Sequence, residues 1–95
     1  MESSSFIVMA QFRPGTDMQE VYAVAPEEKA QVIALREQGR LGAVHISGPR
    51  GTVFIETFAA DESAARETVE TLPMARWWEL DCFPITLPTI PDDAS

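Results

Sequence analysis

The sequence predicts an α+β domain whose elements run β-α-β-β-α-β, and three observations carry that prediction. Runs of aromatic and β-branched residues at strand length begin near Phe6, Leu41, Thr52 and Trp77. Segments with a helical period separate the first run from the second and the third from the fourth. Only Gly48-Pro49-Arg50-Gly51 separates the second run from the third, which marks a hairpin.

Each element has its own local reason. Phe6-Ile-Val-Met-Ala-Gln-Phe12 is apolar on both faces and closes at Arg13-Pro14-Gly15, so it reads as a central strand followed by a turn. From Thr16 to Arg40 the period becomes helical. Pro26-Glu27-Glu28 suits a first helical turn, with acids at the positive end of the dipole. Ala30, Ile33 and Ala34, flanked by Val32 and Leu35, form the expected buried stripe, and Gly39 is the expected stop. Asp17 to Val24 fits either an extra helical turn or a loop.

Leu41 to Ser47 and Thr52 to Phe58 are the hairpin strands, joined by a type I turn with proline at its second position. Asp61 caps a second helix, whose stripe is Ala65, Val69 and Leu72 and whose end is set by Pro73. Trp77 to Thr86 is the last strand, and Pro84 within it argues for a sheet edge. Residues 88–95 are expected to be a flexible tail. This order is the split βαβ arrangement of the ferredoxin-like fold, with both helices on one face of a four-stranded antiparallel sheet. A single domain spans 1–95.

Side-chain alternation sorts the strands into two faces. With Gly48 and Gly51 bounding the turn, Ser47 pairs with Thr52, His45 with Phe54 and Ala43 with Glu56. Val44, Ile46, Val53 and Ile55 then lie under the helices, with Phe6, Val8, Ala10 and Phe12, and with Trp78, Leu80 and Cys82. The opposite, open face receives Ile7, Met9, Gln11, His45, Phe54, Glu56, Phe58, Trp77, Glu79, Asp81 and Phe83. A face with that many apolar groups calls for a cover, and a second copy of the chain is the expected one.

Composition narrows the functional classes. The 95 residues are 45% hydrophobic and 23% charged, which fits a folded globular chain. Seven Lys and Arg against 15 Asp and Glu leave a net charge of -8, which disfavours a phosphate backbone as partner. No apolar run reaches the roughly 18 residues of a membrane span, and the start lacks the features of a signal peptide. The expectation is a soluble, cytoplasmic protein with no nucleic-acid or membrane partner. The single cysteine, Cys82, makes no zinc spacing, and no phosphate loop or dinucleotide fingerprint occurs, so neither metal nor cofactor is expected.

The long first helix ending in Glu37-Gln38-Gly39-Arg40, the hairpin after it, and Leu72-Pro73-Met74 leading into a hydrophobic last strand with a Pro-rich tail resemble the dimeric α+β barrel superfamily. Within it, the chain is similar to the muconolactone isomerase-like proteins, from Phe6 to Pro88. The resemblance implies a cofactor-free isomerase that moves a double bond in a lactone by proton transfer, in a homodimer or larger assembly. The second strand, Leu41-Gly42-Ala43-Val44-His45, is smaller and less charged than in those isomerases. The YciI-like proteins are a sister possibility, in which His45 and Asp81 would take the parts of a pocket-facing His and Asp.

The candidate chemistry centres on His45, the one histidine, since histidine is the side-chain type that exchanges protons near neutral pH. Glu56 on the neighbouring strand and Asp81 on the last strand are the carboxylates that complete a candidate catalytic set. Arg50 at the hairpin tip and Arg13 after the first strand could bind a carboxylate-bearing ligand, with Gln11 and Trp77 beside them. The resulting expectation is proton-transfer isomerisation of a small lactone or organic acid. The alternatives are a non-catalytic ligand-binding or assembly module, or an accessory subunit of a larger enzyme.

Overall fold

A computed structural model describes residues 3–86. The expected flexibility of 88–95 lies outside the described residues. The elements are β1 (Ser4–Phe12), α1 (Met18–Ala23), α2 (Ala25–Glu37), β2 (Leu41–Ser47), β3 (Thr52–Ala59), α3 (Glu62–Glu70) and β4 (Trp78–Ile85). Short 3₁₀ turns occupy Gly48–Arg50 and Pro73–Trp77. The four strands form one antiparallel sheet in the order β2-β3-β1-β4. Two interlocked split βαβ units produce that order, and the fold is the ferredoxin-like α+β arrangement.

β1 is central, and β4 with its Pro84 is an edge. Alternation along β1 places Phe6, Val8 and Ala10 under the helices, with Val8 and Ala10 fully inaccessible. They join Leu35, Leu41, Val53, Ile55, Ala65, Val69, Leu72, Trp78 and Cys82 in one hydrophobic core. Phe12 packs edge-on against Trp78, with centroids 6.1 Å apart.

The helix ends follow local chemistry. Asp61 accepts a hydrogen bond from Ala64 N–H at 2.8 Å and caps α3, whose Ala65 and Val69 are buried. Asp17, accepting from Gln19 N–H, caps α1, so the segment from Asp17 to Val24 is helical over Met18–Ala23. α2 ends in a Schellman motif: Gly39, at φ +73°, donates to Arg36 O, and Arg40 N–H donates to Leu35 O. Arg40 then reaches across to Thr68 Oγ1 at 2.9 Å, tying the end of α2 to α3.

Three expectations need correction. The buried stripe of α2 is narrower than its composition suggests: Leu35 is buried and Val32 packs on the core, but Ala30 is exposed and Ile33 is 44% exposed. The reason is that α2 lies over β2, the edge strand whose Gly42 carbonyl Arg36 reaches, so one flank of the helix has no strand beneath it. Ile46 points to the helix side as alternation requires, yet is 74% exposed for the same reason. Trp77 belongs to the 3₁₀ turn rather than to β4, which starts at Trp78.

One contact couples α2 to the second 3₁₀ turn. Glu28, in the first turn of α2, accepts the Met74 N–H at 2.9 Å. Partial burial raises its carboxyl above the ordinary range, and the Met74 hydrogen bond pulls it part of the way back. Because the folded value is the higher one, the unfolded chain releases this proton first as pH rises. The group's contribution to stability is therefore fullest at acid pH and is lost as pH rises through the folded value. Glu28→Gln keeps an acceptor for Met74 without the charge, so it should melt higher than the parent at pH 7, with the gap closing below about pH 4. Melting curves across that range test the sign.

The face assignment has its own test. Ile55 is 1% exposed in the middle of the core, so Ile55→Asp should abolish cooperative melting, since an unpaired buried charge costs several kcal/mol. Arg66 is half-buried on α3, pairs with Glu62 at 3.5 Å and donates to Leu80 O at 3.4 Å. Arg66→Ala should cost about 0.5–1 kcal/mol, a shift of a few degrees. Equal melting temperatures for the two variants would refute the assignment.

Candidate functional site

The open face of the sheet holds the candidate residues in rows that the registers define. Reading across the strands, His45 lies opposite Phe54, Phe54 opposite Met9, and Met9 opposite Asp81. A histidine and a carboxylate thus stand at the two edges with an aromatic ring and a thioether between them. Three strand spacings separate them, about 14 Å. His45 and Asp81 of one chain do not meet.

The hairpin turn is built as its sequence implies. Gly51 N–H donates to Gly48 O at 3.1 Å, and Gly51 takes the left-handed conformation at φ +56°. Ser47 pairs with Thr52 and His45 with Phe54. The expected pairing of Ala43 with Glu56 is replaced by a β-bulge: Val44 lies opposite Ile55 and Leu41 opposite Thr57, so Gly42 and Ala43 together face Glu56.

A bulge frees a backbone donor that the ladder no longer uses, and Glu56 takes it up. Its Oε1 accepts the Ala43 N–H at 3.0 Å. The Glu56 carboxylate occupies the space that a Cβ at Gly42 would take, so a side chain there would push the carboxylate aside. On the other side of the strand, Arg36 Nε donates to Gly42 O at 3.0 Å. Glu56 is therefore a half-buried structural acceptor, bonded to Ala43, which lies two residues from His45 along β2. Ser5, Glu56, Ile85 and Thr86 line an open depression of about 280 Å³ at this end of the face. Ser5 and Ile85 did not stand out in the sequence because only the pairing of β1 with both β3 and β4 brings them to the same end of the face as Glu56.

The other candidates gather at the opposite end of the sheet. Gln11 lies between Thr52 and Glu79. Arg13 donates from its guanidinium to Arg76 O at 2.7 Å and from its backbone to Trp77 O at 2.9 Å, fastening the end of β1 to the 3₁₀ turn. Arg76 lies over the Trp77 ring, 5.0 Å from its centroid. Arg50 is exposed at the hairpin tip. Arg13, Trp77 and Gln11 are thus brought to one end, away from Glu56.

A second depression of about 420 Å³ opens on the helical side, between the end of α3 and the 3₁₀ turn, lined by Glu70, Thr71, Leu72, Pro73, Ala75 and Arg76. It holds none of the candidate residues. Cys82 is buried, and burial, with the negative charge of Glu62, pushes its thiol up, which disfavours the reactive thiolate. Among the described residues no group of three or more His, Cys, Asp or Glu side chains is placed to hold a metal ion. No described helix is long and apolar enough to cross a membrane. No family model and no curated protein matches the chain.

The bulge yields a direct prediction. Gly42→Ala should displace the Glu56 carboxylate and leave the Ala43 N–H without its acceptor, costing about 1–2 kcal/mol. Glu56→Gln keeps an oxygen acceptor and should cost less than Glu56→Ala. Chemical denaturation of the three variants checks the order, and an unchanged Gly42→Ala midpoint would show that the bulge does not need Glu56.

Proposed function

We propose that the open sheet face is the site of a small cofactor-independent enzyme that resembles the muconolactone isomerases and moves a proton on a small lactone or organic acid. The observation that carries this reading is the row His45, Phe54, Met9, Asp81, with Glu56 and Gln11 in the rows on either side. Phe54 and Met9 form an apolar floor suited to a carbon skeleton. His45 at its edge is the group to take a proton from carbon beside a carbonyl and return it after the double bond has shifted. Glu56, through its place near Ala43, is the carboxylate of the same chain closest along the sheet. Asp81 reaches a shared site only from a second copy laid over the face, which would also exclude water.

A specific observation favours a second reading, a non-catalytic ligand-binding or assembly module. The Glu56 carboxylate is already committed to the bulge, and His45 is exposed on an edge strand. Native mass spectrometry for a bound small molecule, followed by turnover assays with unsaturated lactones and acids, separates the two. On the enzymatic reading His45→Ala should lower the rate about 10²–10⁴-fold with an unchanged melting temperature. Unchanged turnover in that variant, on a substrate the parent accepts, would remove His45 from the chemistry.

A further inference from the structure

Two exposed isoleucines lie on one side of the molecule. Ile46, in the edge strand β2, is 74% exposed, and Ile33, in α2, is 44% exposed. Arg36 shows that they share that side: it lies one turn beyond Ile33 and donates to the outward carbonyl of Gly42 in β2.

The outer edge of β2 beside them has no strand partner among the described residues. Phe12 N–H donates to Gly51 O, so Gly51, Val53 and Ile55 turn their polar groups toward β1. Phe58 N–H donates to Arg40 O, which shows that the alternate residues of β3 face the β2 side. With Ser47 opposite Thr52 and His45 opposite Phe54, it is His45 and Ser47 that bond to β3. Alternation then turns the N–H and C=O of Val44 and Ile46 outward. Among the described residues nothing bonds to them, whereas the neighbouring groups of Gly42 and Ala43 are taken by Arg36 and Glu56.

The two sheet edges differ in protection. β4 carries Glu79, Asp81 and Pro84, the charges and proline that block strand addition. β2, from Leu41 to Ser47, has no acid, lysine, arginine or proline, in a chain of net charge -8. That neutral strip is where two copies of an acidic protein approach with least repulsion.

We propose that β2 pairs antiparallel with β2 of a second copy of this chain, joining the two sheets into one. The edge is complementary to itself. A two-fold pairing that sets Val44 opposite Ile46 of the copy uses every outward group of both residues. The neighbouring registers do not: one sets Ile46 against Gly42, whose carbonyl Arg36 holds, and the other sets Val44 against Gly48 in the turn. On the helix side Ile46 covers Val44 of the copy, with Ile33 flanking the seam. On the open face His45 stands directly opposite its counterpart, as a non-hydrogen-bonded pair with Cα atoms about 4.5 Å apart. This edge is separate from the open face, so the inference goes beyond the proposed function and does not depend on it.

Light scattering and cross-linking on the full chain test it. Ile46→Lys, at an exposed position, should halve the mass of the parent assembly without lowering the melting temperature. His45→Cys should give a disulfide-linked dimer on mild oxidation, because that Cα separation suits a disulfide, and adding Ile46→Lys should suppress it. Phe83→Glu disturbs only the open face and should leave the His45→Cys cross-link in place. A parent mass of 10.5 kDa at every concentration, an unchanged mass in Ile46→Lys, or no cross-link overturns the proposal. Dissociation by Phe83→Glu alone would overturn it while supporting a cover on the open face.

Discussion

The period-two alternation of β1, held between two antiparallel neighbours, is the constraint on which the rest of the molecule depends. Val8 and Ala10 have no solvent access, and each is registered on both sides against a residue of the core or one packed on it: Ile55 and Cys82 for Val8, Val53 and Leu80 for Ala10. A slip of one residue would turn this whole set outward and bring Ile7, Met9 and Gln11 under the helices. Everything on the open face is consequently determined by what the helix face must bury. The candidate site is the complement of the core, built from the side chains that alternation leaves over.

That dependence explains the shape of the site. Residues brought together on a sheet lie in rows across strands and not in sequence order, so His45, Phe54, Met9 and Asp81 become neighbours in a line. A line on a gently twisted surface has no walls. The face of one chain offers an apolar floor and polar ends, and a closed pocket requires a second surface above it.

The β2 edge shows how one small irregularity can serve two ends. The bulge at Gly42 and Ala43 bends the strand where α2 returns to the sheet, and Arg36 and Glu56 take up the backbone groups it releases. Beyond it, from Val44 to Ser47, the strand is regular again, and among the described residues nothing bonds to its outer polar groups. Irregular where it meets its own helix and regular where it meets solvent, β2 differs from β4, whose acids and proline disfavour strand addition.

Element order, the hairpin turn, the Asp61 cap, the Gly39 stop and the faces of β1, β3 and β4 were legible in the sequence, because each follows from interactions within a few residues. Asp61 finds the Ala64 N–H three positions on, and the Gly48–Gly51 turn needs only its own glycines and proline. The pairing of His45 with Phe54 followed from that turn by counting. The bulge did not, since it depends on Glu56 and Arg36 arriving from other elements to satisfy the backbone it disrupts. The exposure of Ile33 and Ile46 did not either, because it depends on where α2 lies over the sheet, and apolar residues one turn apart on a helix look alike until the helix is laid down. The separation of His45 from Asp81 was hidden for a related reason: alternation assigns a residue to a face, but only the strand order states how many strands lie between two residues on it. Local chemistry therefore determined the parts and the faces, and tertiary packing decided which of the left-over side chains could touch.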